Sequence, residues 1–582
     1  MRMQTPPAPM YAAILCDAYK FCHPGLYPKG YTKGQGNFTP RSTKYFQGSS
    51  MYDGKIVVAG VLQAMNTINH CWNQFFEASW EEVESVIRPL IEATIQNADL
   101  SRYSALHALG YLPLQIHAVE EGRVVKAGTP ILLVTNTHED FAWLASYTED
   151  HFSNELWPSC TVATTAREYR VVAEKYAALT ADDNGYVTYQ CHDFSLRGLF
   201  GMWAGYKTGP SFLSAFTGTD NIPGCLAAMH EYGATKADFG SIMATEHSLT
   251  TLNIQMIAVI KGCSLFEAEM EFLTGYLDNA GPISYVMDSY DYFGMLEHGL
   301  PLVKDKIMAR EGGPFVVRPD SGVPIDVICG TAKIFEIGEG VTSVEHVKGW
   351  ICDHVGDQVR EETPHGECGN SEVSGVARWN GQLYHYTVSI DWNRHDKQFY
   401  YVDGTHVTTF EPTALSVEEI GTVQHLWNVF GGTVNSKGFK VLDPHIRMIY
   451  GDSITVQRFE AILERLMEMG FSAENIVVGV GSYSIQHITR DSLGFAMKLT
   501  YGVVGDLEID VYKDPKTDSG KKSAKGWLAL EFDADGEYVL VEGKPEGYNG
   551  VLNCVFQDSQ VLSKATLVSV RTNLTESLPK AA

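Results

Sequence analysis

Short apolar runs that end abruptly in polar residues recur along the chain, and no other feature restricts its fold as strongly. In the segment 313–322, residues 314–317 form such a run, and Arg318, Asp320 and Ser321 follow it. A run of this length, bounded by Gly and Pro, predicts a buried β-strand. Charged residues directly after a strand are typical of the site-bearing rim of a β/α barrel. There an arginine and a carboxylate can bind a phosphate and, separately, a sugar hydroxyl or a metal.

The same pattern occurs in five other places, and segments long enough for a helix, such as 212–232 and 251–274, separate most of them. Strands that alternate with helices predict an α/β protein, a parallel β/α barrel with its site at the carboxyl ends of the strands. The five further runs are 187–194, 241–248, 283–291, 446–453 and 476–482.

The net charge of −26, from 44 basic and 70 acidic side chains, argues against nucleic acid or an anionic membrane as a partner. An anionic substrate therefore requires a local cluster of Arg and Lys. The eleven cysteines include no CxxC pair, the N-terminus lacks the apolar core of a signal peptide, and no window approaches 18 uncharged apolar residues. We therefore predict a cytoplasmic protein with free thiols.

At 582 residues the chain is long enough for several domains, and its patterns divide it into four parts. We expect an N-terminal β-rich and helical domain over 1–184, and a C-terminal β-rich segment over 491–582 that packs with it. The barrel occupies 185–329 and 422–490. The interruption, 330–421, is rich in acidic residues, Gly and His and predicts an inserted β-subdomain.

Within the N-terminal part, the apolar run 12–16 predicts a strand. The residues that follow it form either part of a site or an ordinary strand end. Helical spacing predicts an amphipathic helix over 79–96 and mostly helix over 141–176, whereas Val-rich runs predict antiparallel strands over 112–137.

The 330–421 segment alternates around an Asn-Gly pair at 380–381 and an Asp-Gly pair at 403–404, which is typical of β-hairpins. It also contains two Cys and two His that are chemically able to bind zinc. Because their spacing is irregular, two interpretations stay open: these residues form a zinc site, or they are four side chains with no common role. These residues are Cys352, His354, His365 and Cys368.

No Walker A loop, GxGxxG, HExxH or GxSxG motif occurs. Five lysines fall within 13 residues between Lys513 and Lys525, which indicates either a solvated loop or a phosphate-binding element. Together with the rim carboxylates, the arginines and one histidine, they suit a phosphorylated sugar and a metal-bound leaving group better than acyl or hydride transfer.

Nine short motifs occur in the order found in the nicotinamide phosphoribosyltransferases of the type II phosphoribosyltransferase family, which the chain resembles over most of its length outside 330–421. The motifs are Asp17-Ala-Tyr-Lys20, His192-Asp-Phe-Ser-Leu-Arg-Gly198, Gly218-Thr-Asp220, Glu246-His-Ser248, Asp288-Ser-Tyr-Asp291, Arg318-Pro-Asp-Ser-Gly322, Ser436-Lys-Gly438, Gly451-Asp452 and Thr489-Arg-Asp491.

The resemblance implies an irregular β/α barrel with a flanking β-rich domain. It implies a homodimer whose active sites lie at the subunit interface. It also implies a reaction of NAD salvage, in which 5-phosphoribosyl-1-pyrophosphate (PRPP) and nicotinamide give nicotinamide mononucleotide and pyrophosphate, with Mg²⁺.

Five residues are assigned to nicotinamide by the same resemblance. Phe194 and Tyr19 of the partner subunit stack on the two faces of the pyridine ring, an arrangement that suits an electron-poor aromatic ring. Asp220 accepts a hydrogen bond from the carboxamide, with Ser284 and Arg318 close by.

For PRPP, the resemblance implies a catalytic set of His247, Arg318 and Asp320. Backbone NH groups of Gly481 and Ser482 contact a phosphate, and Mg²⁺ binds with pyrophosphate near Asp288 and Asp452. The other PRPP residues are Arg197 and Gly451, together with Arg490, Lys498 and Lys513 contributed by the partner subunit.

The family's histidine at the position of His247 is phosphorylated by ATP, so we expect ATP to stimulate the reaction. From the sequence alone, an ordinary hydrogen-bonding role for His247 is the alternative. The transfer itself needs no general base, because the pyridine nitrogen has no proton to lose.

Two places depart from the family pattern. The glycine-rich phosphate turn is Gly479-Val-Gly481-Ser482-Tyr483, and we expect Tyr483 to narrow it. The family also has an arginine that reaches the neighbour's pyrophosphate, and we align Ser49 with it. This replacement predicts weaker PRPP binding unless Arg41 or Lys44 substitutes.

Three other functions compete with this interpretation. Nicotinate phosphoribosyltransferase shares the chemistry, but an ionised Asp220 would repel the nicotinate carboxylate. A sugar-phosphate aldolase or isomerase needs a Schiff-base lysine or an acid/base pair at a strand end, and we find no strand-end lysine. A non-catalytic binding or signalling protein predicts loss of the rim residues, which are all present.

Overall fold

The computed structural model describes residues 10–95, 99–332, 334–338, 340–362, 370–394, 400–451, 453–514, 516 and 523–579. The chain forms two compact units. The first comprises Met1–Met243, Val434–Phe439 and Ile449–Ala582, and the second comprises Ala244–Thr433 and Lys440–Met448.

The α-helices range from single turns to the 32-residue α6. In chain order they are α1 (His23–Leu26), α2 (Val61–Glu77), α3 (Trp80–Thr94), α4 (Ser101–Leu109), α5 (Leu144–Tyr147), α6 (Glu149–Thr180), α7 (Ala204–Leu213), α8 (Ile222–Tyr232), α9 (His247–Lys261), α10 (Leu265–Tyr276), α11 (Tyr292–Gly294), α12 (Leu300–Met308), α13 (Pro324–Cys329), α14 (Val344–Glu362), α15 (Val417–Ile420), α16 (Thr422–Phe430), α17 (Val456–Glu468), α18 (Ser482–Ile485) and α19 (Leu567–Glu576).

The strands are mostly short. In chain order they are β1 (Tyr31–Thr39), β2 (Lys55–Val57), β3 (Leu114–Ala118), β4 (Val124–Lys126), β5 (Leu132–Asn136), β6 (Cys191–Asp193), β7 (Gly218–Thr219), β8 (Met243–Ala244), β9 (Ile283–Val286), β10 (Phe315–Arg318), β11 (Ile334–Glu336), β12 (Asn370–Trp379), β13 (Gln382–Arg394), β14 (Tyr400–Pro412), β15 (Gly432–Val434), β16 (Lys440–Leu442), β17 (Ile446–Tyr450), β18 (Ile476–Val480), β19 (Ala496–Val504), β20 (Leu507–Asp510), β21 (Ala529–Phe532), β22 (Tyr538–Val541), β23 (Asn553–Gln557) and β24 (Gln560–Val561).

An antiparallel sheet in the first unit joins strands from both ends of the chain, in the order β20-β19-β1-β5-β3-β23-β24. Its apolar faces are buried against α2, α3 and α6, and Phe38 of β1 stacks on Phe495 at 5.2 Å. The predicted strands over 112–137 and the helix over 141–176 are confirmed. The helix predicted over 79–96 is α3, which begins with a capping box at Ser79.

The strand predicted over 12–16 is wrong, because Ala12–Ile14 forms a single 3₁₀ turn. Two buried side chains of the α5–α6 region bond to its carbonyl groups. Tyr147 Oη donates to Ala13 O at 2.8 Å, and His151 Nε2 lies 2.9 Å from Ala12 O. These bonds replace the partners that a neighbouring strand would supply.

The first unit also holds parallel strands, with β6 between β18 and β7. The predicted strand 476–482 is confirmed, whereas 187–194 is a strand only over β6. The segment 212–232, long enough for a helix, contains α8 and also β7, which separates α8 from α7. Gly218 permits this strand, because a Cβ there would lie 2.4 Å from the His192 ring.

In the second unit, β10 pairs in parallel with both β9 and β17. The segment 251–274, long enough for a helix, contains parts of two helices, because the chain turns at Gly262 (φ 64°) and a capping box at Ser264 starts α10. The predicted strand 241–248 is reduced to the two residues of β8, after which α9 begins at His247.

The region 334–412 is built on a four-stranded sheet, β11-β12-β13-β14, with α14 packed on it through Val347, Ile351 and Val355. The hairpin predicted at 380–381 is confirmed, since both residues have positive φ between β12 and β13. The turn predicted at 403–404 is wrong. Gly404 lies within β14 beside a register shift, so a β-bulge absorbs the irregularity.

The predicted α/β fold class is confirmed: short parallel strands alternate with helices, and separate antiparallel sheets accompany them. Within the described residues, no single helix is long and apolar enough to cross a membrane. The helices α9 and α10 meet that criterion only as a pair, and they are bent by 117°.

Candidate active site

Phe194 directly follows β6 in the first unit, and the neighbouring Gly479 leaves room for its aromatic ring. Its backbone NH donates to Val480 O of β18 at 3.0 Å. A Cβ on Gly479 would lie 2.2 Å from Phe194 Cδ2 and 3.1 Å from Gly451 Cα. The glycine therefore brings Phe194, β18 and Gly451 into contact at the carboxyl ends of these strands.

Arg197 lies in the 3₁₀ turn Leu196–Gly198, which touches the start of α18. A Cβ on Gly198 would lie 2.0 Å from Ser482 Oγ, so the exposed Arg197 and the NH groups of the 481–482 turn are close neighbours. The expectation that Tyr483 narrows this turn is wrong. A Cβ on Gly481 would meet no atom within 4 Å, and the Tyr483 ring is exposed and stacked on His487 at 5.2 Å.

Asp220 is exposed at the end of β7, and a buried network sets its position. Its NH donates to Asp193 O at 3.0 Å, and Ser241 Oγ donates to its carboxylate. The Asp193 carboxylate accepts from Ser195 Oγ at 2.6 Å and from Asn221 Nδ2 at 3.0 Å. Burial raises the pKa of Asp193, although these donors oppose the shift.

Asp193, Asn221 and Ser241 were not among the predicted site residues. The available signal for Asp193 was its place between His192 and Phe194 at the end of a strand.

Asp288 is the centre of the site in the second unit. Its Oδ1 lies 2.9 Å from His247 Nε2, and its Oδ2 accepts from Asp320 N at 2.8 Å and Ser321 Oγ at 2.7 Å. Burial alone would raise the pKa of Asp288, but the hydrogen bonds from Ser321, Asp320 N and His247 together lower it. The strand ends after β9 and β10 therefore converge on one ionised carboxylate with the first residue of α9.

Arg318 and Ser284 are linked through Thr245. Arg318 Nη2 donates to Thr245 O at 2.5 Å, and Thr245 N donates to Ser284 O at 3.0 Å. Ser284 Oγ is buried and has no hydrogen-bond partner among the described residues. A buried hydroxyl of this kind can donate to or accept from an entering polar ligand.

Four cations gather in the first unit. Burial lowers the pKa of Lys498, an effect that Glu149 opposes. Arg41, Lys513 and Arg490 lower the pKa further through like-charge repulsion. This cluster, defined as Arg41, Arg490, Lys498 and Lys513, is a local concentration of positive charge in a chain of net charge −26.

Arg41 lies near those cations, whereas Ser49 is bonded to a buried carboxylate. Arg41 Nε donates to Gly494 O at 2.9 Å. Ser49 is buried, and its N and Oγ donate to Glu168 Oε2 at 3.0 and 2.8 Å. Tyr19, assigned to the neighbour's site, is 56% exposed beside the buried Lys20.

The metal predictions remain predictions. Asp452, His365 and Cys368 lie outside the described residues. His354 Nδ1 lies 2.8 Å from Trp350 O, and its ring stacks on that indole at 3.7 Å. In the described part of the chain, no group of three or more His, Cys, Asp or Glu residues could hold a metal ion.

A model of the nicotinate phosphoribosyltransferase (NAPRTase) family matches residues 189–352 and 404–566. A nicotinamide phosphoribosyltransferase of Acinetobacter baylyi is 33% identical over 580 residues, covering 97% of this chain and 96% of that protein. One of Mycoplasma pneumoniae is 28% identical over 527 residues, or 88% and 94% of the two chains. The crystal structure of human nicotinic acid phosphoribosyltransferase matches with a TM-score of 0.47 and 14% identity over 97% of this chain and 95% of that chain.

Proposed function

The chain belongs to the nicotinate phosphoribosyltransferase (NAPRTase) family, and from this premise we propose that it transfers the phosphoribosyl group of PRPP to nicotinamide. The products are nicotinamide mononucleotide and pyrophosphate, and the reaction serves NAD salvage. The observation that carries the choice of nicotinamide is the exposed carboxylate of Asp220, bonded to Ser241 at the end of β7. A cytoplasmic location stays a prediction.

The Asp220 carboxylate favours binding of nicotinamide, which carries an amide, over nicotinate, which carries an acid. The carboxamide NH₂ donates to a carboxylate, whereas the nicotinate carboxylate is repelled by it. Phe194 supplies the stacking face, and the unpartnered Ser284 Oγ supplies a further polar contact. Nicotinate phosphoribosyltransferase is therefore the second candidate.

The substitution Asp220→Asn tests this choice. It removes the repelling charge, so the kcat/KM ratio of nicotinamide over nicotinate should fall at least tenfold, measured by the mononucleotide formed. Asp238→Asn, which alters a carboxylate bonded to Arg571, is the control and should leave the ratio unchanged. An unchanged ratio in Asp220→Asn places amide recognition elsewhere. Failure of the wild type to form either mononucleotide favours the non-catalytic alternative.

The transfer needs stabilisation of a departing anion. In the first unit, Arg197 and the NH groups of the 481–482 turn are donors that suit phosphate oxygens, and Arg318 is such a donor in the second unit. Donors of this kind stabilise developing negative charge. Stacking on Phe194 holds the pyridine nitrogen in line with the anomeric carbon. No residue has to remove a proton.

We infer that Mg²⁺ enters with pyrophosphate. This ion is commonly bound by one or two carboxylates together with substrate phosphates. Asp320 suits such a role, because Asp288 fixes its backbone. Bound Mg²⁺ would neutralise the leaving group.

ATP is proposed as an activating co-substrate that phosphorylates His247. Because Nε2 faces Asp288, the Nδ1 lone pair is the nucleophile. A bond forms from Nδ1 to the γ-phosphorus, and the bond to ADP breaks. The test is an acid-labile, base-stable phosphoenzyme and ADP release in the wild type, both absent from His247→Ala. A fully active wild type that never becomes labelled leaves His247 as a phosphate ligand.

We propose a homodimer with shared active sites, because residues that a second subunit can cover are exposed. Tyr19 is uncovered, and α9 exposes Leu252, Val259 and Ile260, an apolar face that a second copy can bury. Mixing inactive Tyr19→Ala with inactive Phe194→Ala subunits should restore activity, since one hybrid site then carries neither lesion. No recovery after confirmed subunit exchange indicates self-contained sites.

A further inference from the structure

A cavity of about 510 Å³ lies in the first unit, next to the 481–482 turn of the candidate active site. Among the described residues, none of the predicted site residues lines it. Its size falls in the range of small-molecule sites, roughly 300 to 1,000 Å³. Aromatic rings and carboxamides form much of its wall: Tyr45, Phe46, Tyr483, His487, Gln457 and Gln486.

Lys44 lies over one face of the Tyr45 ring, and His487 stacks on one face of Tyr483. Each ring therefore has one face left for a ligand. Tyr45 and Tyr483 are 65% and 55% exposed, although both line a concave wall. Tyr483 is held in place by stacking on His487 at 5.2 Å and 13°. Flat rings fixed at a cavity wall are the surfaces on which a nucleobase stacks.

The polar groups of the wall suit a heteroaromatic ring. Gln457 Nε2 donates to Gly48 O at 2.6 Å, and Gln486 Oε1 accepts from Phe200 N at 2.9 Å. These bonds orient both amides, which can donate to and accept from ring nitrogens and exocyclic groups.

The charges near the cavity suit an anion. In a chain of net charge −26, no acidic side chain lines this cavity among the described residues. Lys44 Nζ lies 5.2 Å from the centre of the Tyr45 ring, and Arg490 lies between the wall residues Thr489 and Ser492. Both cations are exposed.

We propose that this cavity binds a nucleotide, with the base on Tyr45 and Tyr483 and the phosphate at Lys44. The cavity adjoins the 481–482 turn and Arg490, but none of the described residues assigned to nicotinamide lines it. We therefore assign its ligand as a regulator rather than a substrate.

The experiment measures binding of radiolabelled AMP to the full-length protein by equilibrium dialysis. AMP has no γ-phosphate and cannot label His247. Wild type and Phe194→Leu, which lacks the stacking ring of the transferase site, should both bind one AMP per chain. Tyr45→Ala should weaken binding about tenfold or more, whereas Tyr45→Phe keeps the ring and should bind normally. Phe532→Ala, which removes an exposed ring from a second cavity of about 410 Å³, is the matched control.

Adenosine separates the base from the phosphate. Lys44→Ala should weaken AMP binding and leave adenosine binding unchanged. Three results overturn the proposal: no AMP binding by the wild type, equal binding by wild type and Tyr45→Ala, or loss of binding in Phe194→Leu, which would place AMP in the transferase site.

Discussion

His247 Nε2 lies 2.9 Å from Asp288 Oδ1, while the other oxygen of that carboxylate binds Asp320 N and Ser321 Oγ. One buried carboxylate therefore fixes both the first residue of α9 and the loop after β10. Because hydrogen bonds to a carboxylate are charge-assisted, they are stronger than neutral ones and restrict the histidine to one orientation. Asp288 thus couples two parts of the site that lie more than 70 positions apart in sequence.

Asp288→Asn should lower kcat/KM for PRPP by about 100-fold, because an amide replaces the ionised acceptor and no longer holds His247 and Asp320 together. Stimulation by ATP should disappear as well. The matched control is Asp291→Asn in the same motif. Asp291 caps α11 by accepting from Gly294 N at 2.9 Å, and Asn caps a helix equally well. Equal losses in the two variants contradict the central role of Asp288.

Arg41→Ala should raise the KM for PRPP about tenfold and change the KM for nicotinamide little, because Arg41 stands with Arg490, Lys498 and Lys513. Steady-state kinetics with each substrate varied in turn measures the difference. Lys44→Ala, which removes a neighbouring exposed cation, should leave both constants unchanged. A PRPP effect as large in Lys44→Ala would show that general charge, not the cluster, is responsible.

The complementary substitution, Ser49→Arg, should not strengthen PRPP binding. Ser49 is buried and bonded twice to Glu168, so the larger side chain has no space and the protein loses on the order of 2 kcal/mol of stability. Thermal unfolding and PRPP kinetics check both points. Tighter PRPP binding in this variant would contradict the position found for Ser49.

Periodicity and strand-end polarity predicted much of the fold and pointed to several residues of the candidate site. Asp288 and Asp320 each follow a buried strand, and runs of β-branched residues in the sequence predict such strands. The two-residue strand β7 carries no such signal. It depends on the space that Gly218 leaves for His192, which is a tertiary relationship.

The sequence analysis missed Asp193 and Asn221 for the same reason, because tertiary contacts and not a local pattern connect them. Asp193 and Asn221 act through a buried bond between residues 28 positions apart, and no periodic pattern encodes such a pair. Similarly, Arg41 joins the cationic cluster through its bond to Gly494. Choosing between Arg41 and Ser49 required the structure, because both lie in one irregular segment.

Glu269 should make stability depend on pH. It is buried on α10, and burial raises its pKa to about 7; Tyr285 opposes this shift, and Asp291 and Asp288 add to it. A carboxyl whose pKa is raised on folding stabilises the protein fully below its unfolded value of 4.5. The contribution is lost as pH rises through the window from 4.5 to about 7.

Urea unfolding at pH 5 and pH 8 measures this loss. The wild type should lose on the order of 2 kcal/mol more than Glu269→Gln between these values. The control is Glu271→Gln on the same helix, since Glu271 is exposed and paired with Lys261, and exposed pairs contribute less than about 1 kcal/mol. Parallel behaviour of wild type and Glu269→Gln would show that Glu269 stays ionised.

Deleting residues 331–420 and joining Gly330 to Gly421 should leave a folded protein with near-normal transferase activity. A Cβ on Gly330 would lie 2.7 Å from Gly421 N, so the two ends already touch, and Thr422 Oγ1 bonds Val327 O on the retained side at 2.7 Å. The deleted part has its own buried core, which includes Val347 and Ile351. Removing only α14 should instead cause aggregation, because it uncovers the sheet beneath. Circular dichroism, size-exclusion chromatography and mononucleotide synthesis distinguish the variants. A folded full deletion without PRPP turnover would place part of the active site in the deleted segment.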